Sequence, residues 1–104
     1  MTRRGKVLKC RPKSVQVGRI KYKVKYLDKV DENDTMWGHW DSVTKLIKVN
    51  KNQTVAKLEQ TFLHEVIHAV DYCKKIGLSE KKVRKLESGL YKFFKDNGIK
   101  LVKK

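Results

Sequence analysis

An α+β fold, with a short antiparallel sheet beside two helices, is predicted by three observations on this chain of 104 residues. Apolar and lysine residues alternate from Ile20 to Tyr26; apolar residues recur with a helical period from Thr54 to about Lys75; a second helical stripe runs from Ser79 to about Asp96. The length suits one domain, since domains commonly run to about 100–200 residues. With 39% hydrophobic and 36% charged residues, a single core must use nearly every large apolar side chain.

Met1 to Ser14 combines basic residues with the only proline and shows no period. Residues 1–14 are therefore expected to form a flexible or loosely docked arm, and residues 15–104 the folded domain. Beyond the arm, Ile20, Tyr22, Val24 and Tyr26 share one face of a strand, and Lys21, Lys23 and Lys25 cover the other. Asp28 to Asp34 is polar and turn-rich, and Lys45 to Asn50 is a second strand with Ile47 and Val49 on one side. These two strands are expected to pair antiparallel.

Val55, Leu58, Phe62, Val66, Ile67, Ala69 and Val70 give the first helix a broad apolar surface uninterrupted by Gly or Pro, and Gly77 is its expected stop. Ser79 offers an N-cap to the second helix, Glu80 an acid that the helix dipole favours, and Asn97-Gly98 a terminator. The inward stripe of this helix is predicted to hold Val83, Glu87, Leu90 and Phe94, flanked by Leu86 and Phe93.

Within the first helix stands His64-Glu65-Val66-Ile67-His68, an H-E-x-x-H pattern that shuffling this composition yields in roughly one chain in 250. Residues four apart stack on a helix, so both imidazoles can face one ion while Glu65 is offset towards water bound to it. Neutral imidazoles suit zinc, and on so apolar a helix unpartnered ones would be costly. A catalytic zinc needs a third protein ligand and an open position. Glu87, separated from His68 by eighteen residues, stands within the inward stripe, where a carboxylate needs a partner; at the stripe's edge it would instead pair with Lys75 or another lysine. Glu80, one helical repeat earlier on the same side, is the rival, although the helix dipole already explains it.

Other residues admit two readings. Asp71 either orients a ligand or an arm of the site from behind it, or forms a surface ion pair with Lys74 or Lys75. Trp37, His39 and Trp40 lie in a loop able to close a pocket, but burial habits favour tryptophans laid over a small core and an exposed His39. Tyr91 is either an oxyanion donor or a packing residue, and packing fits it better. Cys73 is off the phase of the site and suits the core. With Cys10 it is expected to be a free thiol in a reducing cytoplasm.

Thr61-Phe62-Leu63-His64-Glu65-Val66-Ile67-His68-Ala69-Val70-Asp71-Tyr72, followed by Gly77-Leu78-Ser79-Glu80, Leu90-Tyr91 and Asp96-Asn97, resembles small phage and prophage proteins regarded as zinc metallopeptidases and, more broadly, the gluzincins. The likeness runs from about Ile20 to Gly98 and leaves the basic arm without a counterpart. It implies a minimal zincin core, in which a short antiparallel sheet packs on the motif helix and the second helix brings a glutamate ligand. It also implies a phage- or prophage-encoded hydrolase in the cytoplasm of a bacterial host. On this reading His64, His68 and Glu87 hold one zinc ion, Glu65 takes a proton from water, and a protein or peptide substrate lies extended along the Ile20 to Tyr26 or the Lys45 to Asn50 strand.

The balance of 26 Lys+Arg against 11 Asp+Glu gives a net charge of +15. Such a surface is either merely soluble and basic or makes nonspecific contact with nucleic acid. The competing function is accordingly a basic nucleic-acid-binding protein with a structural zinc site and no hydrolysis. Met1 to Ser14 lacks the apolar run of a secretory signal, and no stretch approaches the ~20 apolar residues of a membrane span, so no membrane partner is expected.

Overall fold

In the computed structural model, which describes residues 12–31 and 36–100, the alternating segment becomes the longest strand of a four-stranded sheet. Strands β1 (Ser14–Val17), β2 (Ile20–Leu27), β3 (Gly38–Asp41) and β4 (Leu46–Asn50) lie in the order β1-β2-β4-β3, and helices α1 (Val55–Lys74) and α2 (Glu80–Asp96) follow. The class is α+β. α2 begins where the Ser79 cap predicts and α1 directly after Thr54, where its helical period starts: the side chains of Thr54 and Ser79 accept the backbone N–H of Lys57 and Lys82.

The sheet is mixed rather than antiparallel. β2 and β4, the two strands expected to oppose each other, run parallel, with Val24 beside Ile47 and Lys25 beside Lys48. The cause is β3, a four-residue strand within the segment read as a loop. The chain reverses once to enter β3 and again to enter β4, with which β3 pairs antiparallel, and two reversals restore the direction of β2. The second reversal is fixed by Asp41, whose Oδ1 accepts the N–H groups of Val43 (2.8 Å) and Thr44 (3.3 Å).

The described end of the predicted arm is tied to the sheet. Ser14 pairs with Lys23, the Lys13 carbonyl accepts Val24 N–H (2.8 Å), and Tyr26 Oη donates to the Pro12 carbonyl (2.7 Å). Residues 1–11, including Cys10, lie outside the described residues. Between β1 and β2 the loop places Gly18 at φ +61°, and a Cβ there would fall 2.5 Å from Cys73 Sγ. Glycine thus serves both the turn and the close approach of α1. Cys73 is a half-buried free thiol packed against the core, as its phase predicts.

The inner sheet face supplies Val17, Tyr22, Val24, Ile47 and Val49, which pack on Leu58, Phe62 and Ala69 of α1. On its other side α1 presents Leu63 and Ile67 to Val83 of α2, with Leu78, Tyr91 and Phe94 around them. Full burial of such a side chain contributes about 1.5–3 kcal/mol, so α1 is held from both sides. α2 touches α1 alone among the described elements, and a narrower stripe suffices for it. Its inner residues are Val83, Glu87, Tyr91 and Phe94, whereas Leu86 (43% exposed), Leu90 (37%) and Phe93 (54%), all expected inside or beside the stripe, face solvent.

The link between the helices comes from an unexpected side chain. α1 ends at Lys74, three positions before the predicted stop at Gly77, with Lys75 left-handed at φ 55° and Gly77 at φ +82°. Asp71 Oδ1 then accepts the N–H groups of Gly77 (2.7 Å) and Leu78 (3.1 Å). Asp71 is therefore a clamp on the link that leads to Glu80, an arm of the site, and forms no ion pair with Lys74 or Lys75 among the described residues. α2 closes in a Schellman turn: Ile99 N–H bonds the Phe94 carbonyl (2.8 Å), Gly98 N–H the Lys95 carbonyl (3.3 Å), and Gly98 takes φ +68°. Among the described residues no helix is long and apolar enough to cross a membrane.

Candidate metal centre

His64 and His68 stand one turn apart on α1, their rings edge to face with centroids 4.8 Å apart. The clamped link starts α2 so that Glu80, its first residue, reaches both: Oε2 is 2.8 Å from His64 Nε2 and Oε1 is 3.2 Å from His68 Nε2. The two Nε2 atoms are themselves 3.2 Å apart. On the far side of the same ring, His64 Nδ1 lies 2.9 Å from Glu87 Oε1. A carboxylate accepting at Nδ1 is the arrangement that leaves Nε2 of the same ring free to ligate a metal beside His68 and Glu80.

His64 Nε2, His68 Nε2 and the Glu80 carboxylate thus converge on one point, where a cation could take the place of the protons between them. Four-coordinate zinc at about 2.0–2.1 Å from its ligands would space them about 3.3–3.4 Å apart, close to the 2.8–3.2 Å found here. His64, His68 and Glu80 are accordingly a group that could hold a metal ion. Both glutamates considered from the sequence are brought to the site, in different places: Glu80 beside the two Nε2 atoms and Glu87 behind His64. Arg84 Nε, 3.5 Å from Glu80 Oε2, is a further partner of the half-exposed Glu80 carboxylate.

Glu65 is 7% exposed and points from α1 towards β3. A Cβ on Gly38 would lie 2.5 Å from Thr61 Cγ2 and 3.0 Å from Glu65 Oε2, so glycine lets the strand approach the carboxylate. Burial pushes the Glu65 carboxyl up to about 7; His64 opposes the shift, and the nearby charges of Glu80 and Glu87 add to it. Burial also lowers the pKa of His68, with His64 acting in the same direction, which favours the neutral, ligating imidazole.

Around this group the surface is concave. A cleft of about 240 Å³ lies beside Trp37, Gly38, Glu65 and Glu80, with Lys57 and Arg84 at its edge. A second, of about 440 Å³, continues past Trp40 and His68. Trp40 forms the wall between site and core, stacked on His68 (centroids 6.3 Å, 15°) and tilted against Tyr72 (5.3 Å). Of the expected aromatic cover, Trp40 is partly buried, Trp37 is 57% exposed, and His39 is exposed. Tyr91 Oη donates to buried Glu59 (3.3 Å) and packs between the helices, as its preferred reading held.

Sequence reasoning passed over Gly38, Glu59 and the part of Trp40 at the site. Gly38 left a signal, since a glycine beside an aromatic in an extended segment often marks close approach of another backbone or side chain. Comparison with known proteins supplies no relative: no protein-family model, curated protein or solved structure matches the chain.

Proposed function

We propose that the protein is a zinc-dependent peptidase with a minimal zincin-like core, in which His64, His68 and Glu80 hold the metal, Glu87 positions His64, and Glu65 is the general base. The observation that carries this reading is a buried carboxylate, Glu65, set beside a convergent His-His-Glu group and open to a cleft. When bound, zinc supplies Lewis acidity, polarising a scissile carbonyl and making water a stronger acid near neutral pH. Glu65 takes a proton from the attacking water as its oxygen bonds the carbonyl carbon. The same carboxyl returns that proton to the departing amine nitrogen as the C–N bond breaks.

The strand beside the substrate is β3. Among the described residues the two strands expected for this role, β2 and β4, are each flanked on both sides, whereas β3 pairs with β4 alone, and Gly38 brings it against Glu65. An extended peptide added to its free edge would pass the site. Assignment to phage or prophage, and to a host cytoplasm, rests on sequence resemblance alone.

A structural zinc without hydrolysis is the competing reading, but structural sites are typically closed by four protein ligands, whereas this group opens on a cleft. Glu65→Gln separates the two. Under hydrolysis the variant keeps zinc, measured by metal analysis, and loses about 10²–10⁴-fold in cleavage of an unstructured protein substrate. Undiminished cleavage by Glu65→Gln would remove the assignment.

A further inference from the structure

The outer face of the sheet carries a basic array that the peptidase reading does not use. Tyr22 and Val24 point to the core, so Lys21, Lys23 and Lys25 project outwards from β2, all exposed. Lys25 is directly beside Lys48 of β4, and Lys48 is opposite His39 of β3. Like charges directly across a sheet are destabilising. None of Lys21, Lys23, Lys25 and Lys48 has an ion-pair partner among the described residues. The acid on the same face of the paired strands, Asp41, is occupied by the N–H groups of its own turn. On α2, by contrast, Arg84 and Lys92 meet Glu80 and Asp96.

We infer that this sheet face binds the phosphate backbone of nucleic acid without regard to sequence. Residues two apart on a strand project their side chains about 6.6–6.8 Å apart, giving a regular file of cations suited to a chain with one charge per nucleotide. The array is all lysine: point charges that contact phosphate well and lack the planar fork that reads guanine. β1 adds uncharged polar groups to the same face, with Gln16 beside Lys21 and Ser14 beside Lys23. A membrane surface fits less well, because none of the large exposed apolar side chains lies on β1, β2 or β4, and interfacial binding draws on buried apolar area. The metal group sits on the helix side of the sheet, so the two surfaces are separate.

The test is fluorescence anisotropy of the full chain with a short DNA duplex of arbitrary sequence, titrated between about 50 and 200 mM salt. The variant K21Q/K23Q/K25Q/K48Q is compared with K74Q/K81Q/K82Q/K85Q, which removes the same charge from exposed helix positions. Each phosphate contact contributes about 0.9 to the slope of log affinity on log salt. The sheet variant should therefore lose about 3–4 from the slope and bind at least tenfold more weakly, while the helix variant stays within about one of wild type. The single variants K25Q and K48Q, which disturb the sheet least, should each lose about one. Equal losses in the sheet and helix variants, no binding by wild type, or tighter binding to phosphatidylserine vesicles than to DNA at the same salt would overturn the inference.

Discussion

The two sides of this small protein handle charge in opposite ways. Between the helices, carboxylates are buried or drawn together: Glu59 and Glu65 are under 9% exposed, and Glu80 and Glu87 both meet His64. Across the sheet, lysines stand beside one another, with exposed Lys25 next to half-buried Lys48. The net +15 thus hides two local arrangements, carboxylates gathered at the imidazoles and lysines filed along the sheet. A buried charge must find a partner or shift its proton, whereas an exposed one is screened by water and salt. Charge near the helices can thus serve chemistry, and charge on the sheet can serve attraction at longer range.

The largest test of this contrast concerns the two glutamates of α2. Glu80→Gln should weaken zinc binding by more than 100-fold, because it removes a ligand, whereas Glu87→Gln should cost about 10–100-fold as an outer partner of His64. Competition with a chromophoric chelator measures both, and a larger loss for Glu87→Gln would exchange their roles.

A smaller effect is expected from Glu65 in protein stripped of metal with a chelator. Its folded-state carboxyl is raised from 4.5 to about 7, so this group leaves stability intact below pH 4.5 and takes it away as pH rises through 7. Glu65→Gln abolishes that loss. Its stability relative to wild type, from urea melts, should therefore rise between pH 5 and pH 8 by up to about 3 kcal/mol. A difference flat with pH would mean that the carboxyl is not desolvated. The lowered pKa of His68 acts in the other direction, its stability being lost as pH falls below 6.5, and it is common to both proteins.

Least of all should change on the lysine side. Lys48→Gln relieves a like-charge neighbour and should stabilise the protein by a few tenths of a kcal/mol at low salt, the gain fading as salt is added. A stability loss in the same melts would mean that Lys48 has a favourable partner.

The contrast also explains which features were legible in the sequence. His64, Glu65 and His68 lie within one helix, where spacing alone fixes relative position, and the cap at Ser79 is local in the same sense. The choice between Glu80 and Glu87 was not legible. Seven residues apart, they share a side of α2, and which carboxylate meets the Nε2 atoms depends on how the link sets one helix against the other. β3 was hidden by its shortness, and with it the parallel pairing of β2 and β4, which no periodicity within a strand records. The lysine face was visible as alternation, but its alignment with Lys48 required the register.

Asp71 gives the centre a particular mechanical character. The residue that fastens the start of α2 belongs to α1, three positions beyond His68, so the span from His68 to Glu80 closes as a short loop on the motif helix itself. Strain or breathing in the sheet need not change the gap between the imidazoles and the carboxylate. The centre is gauged by its own helix, and an added residue between Lys75 and Ser79 that turned α2 by one position would swing Glu80 by about 100° around its axis and carry Val83 away from Leu63 and Ile67, so that the metal group and the packing between the helices would fail together.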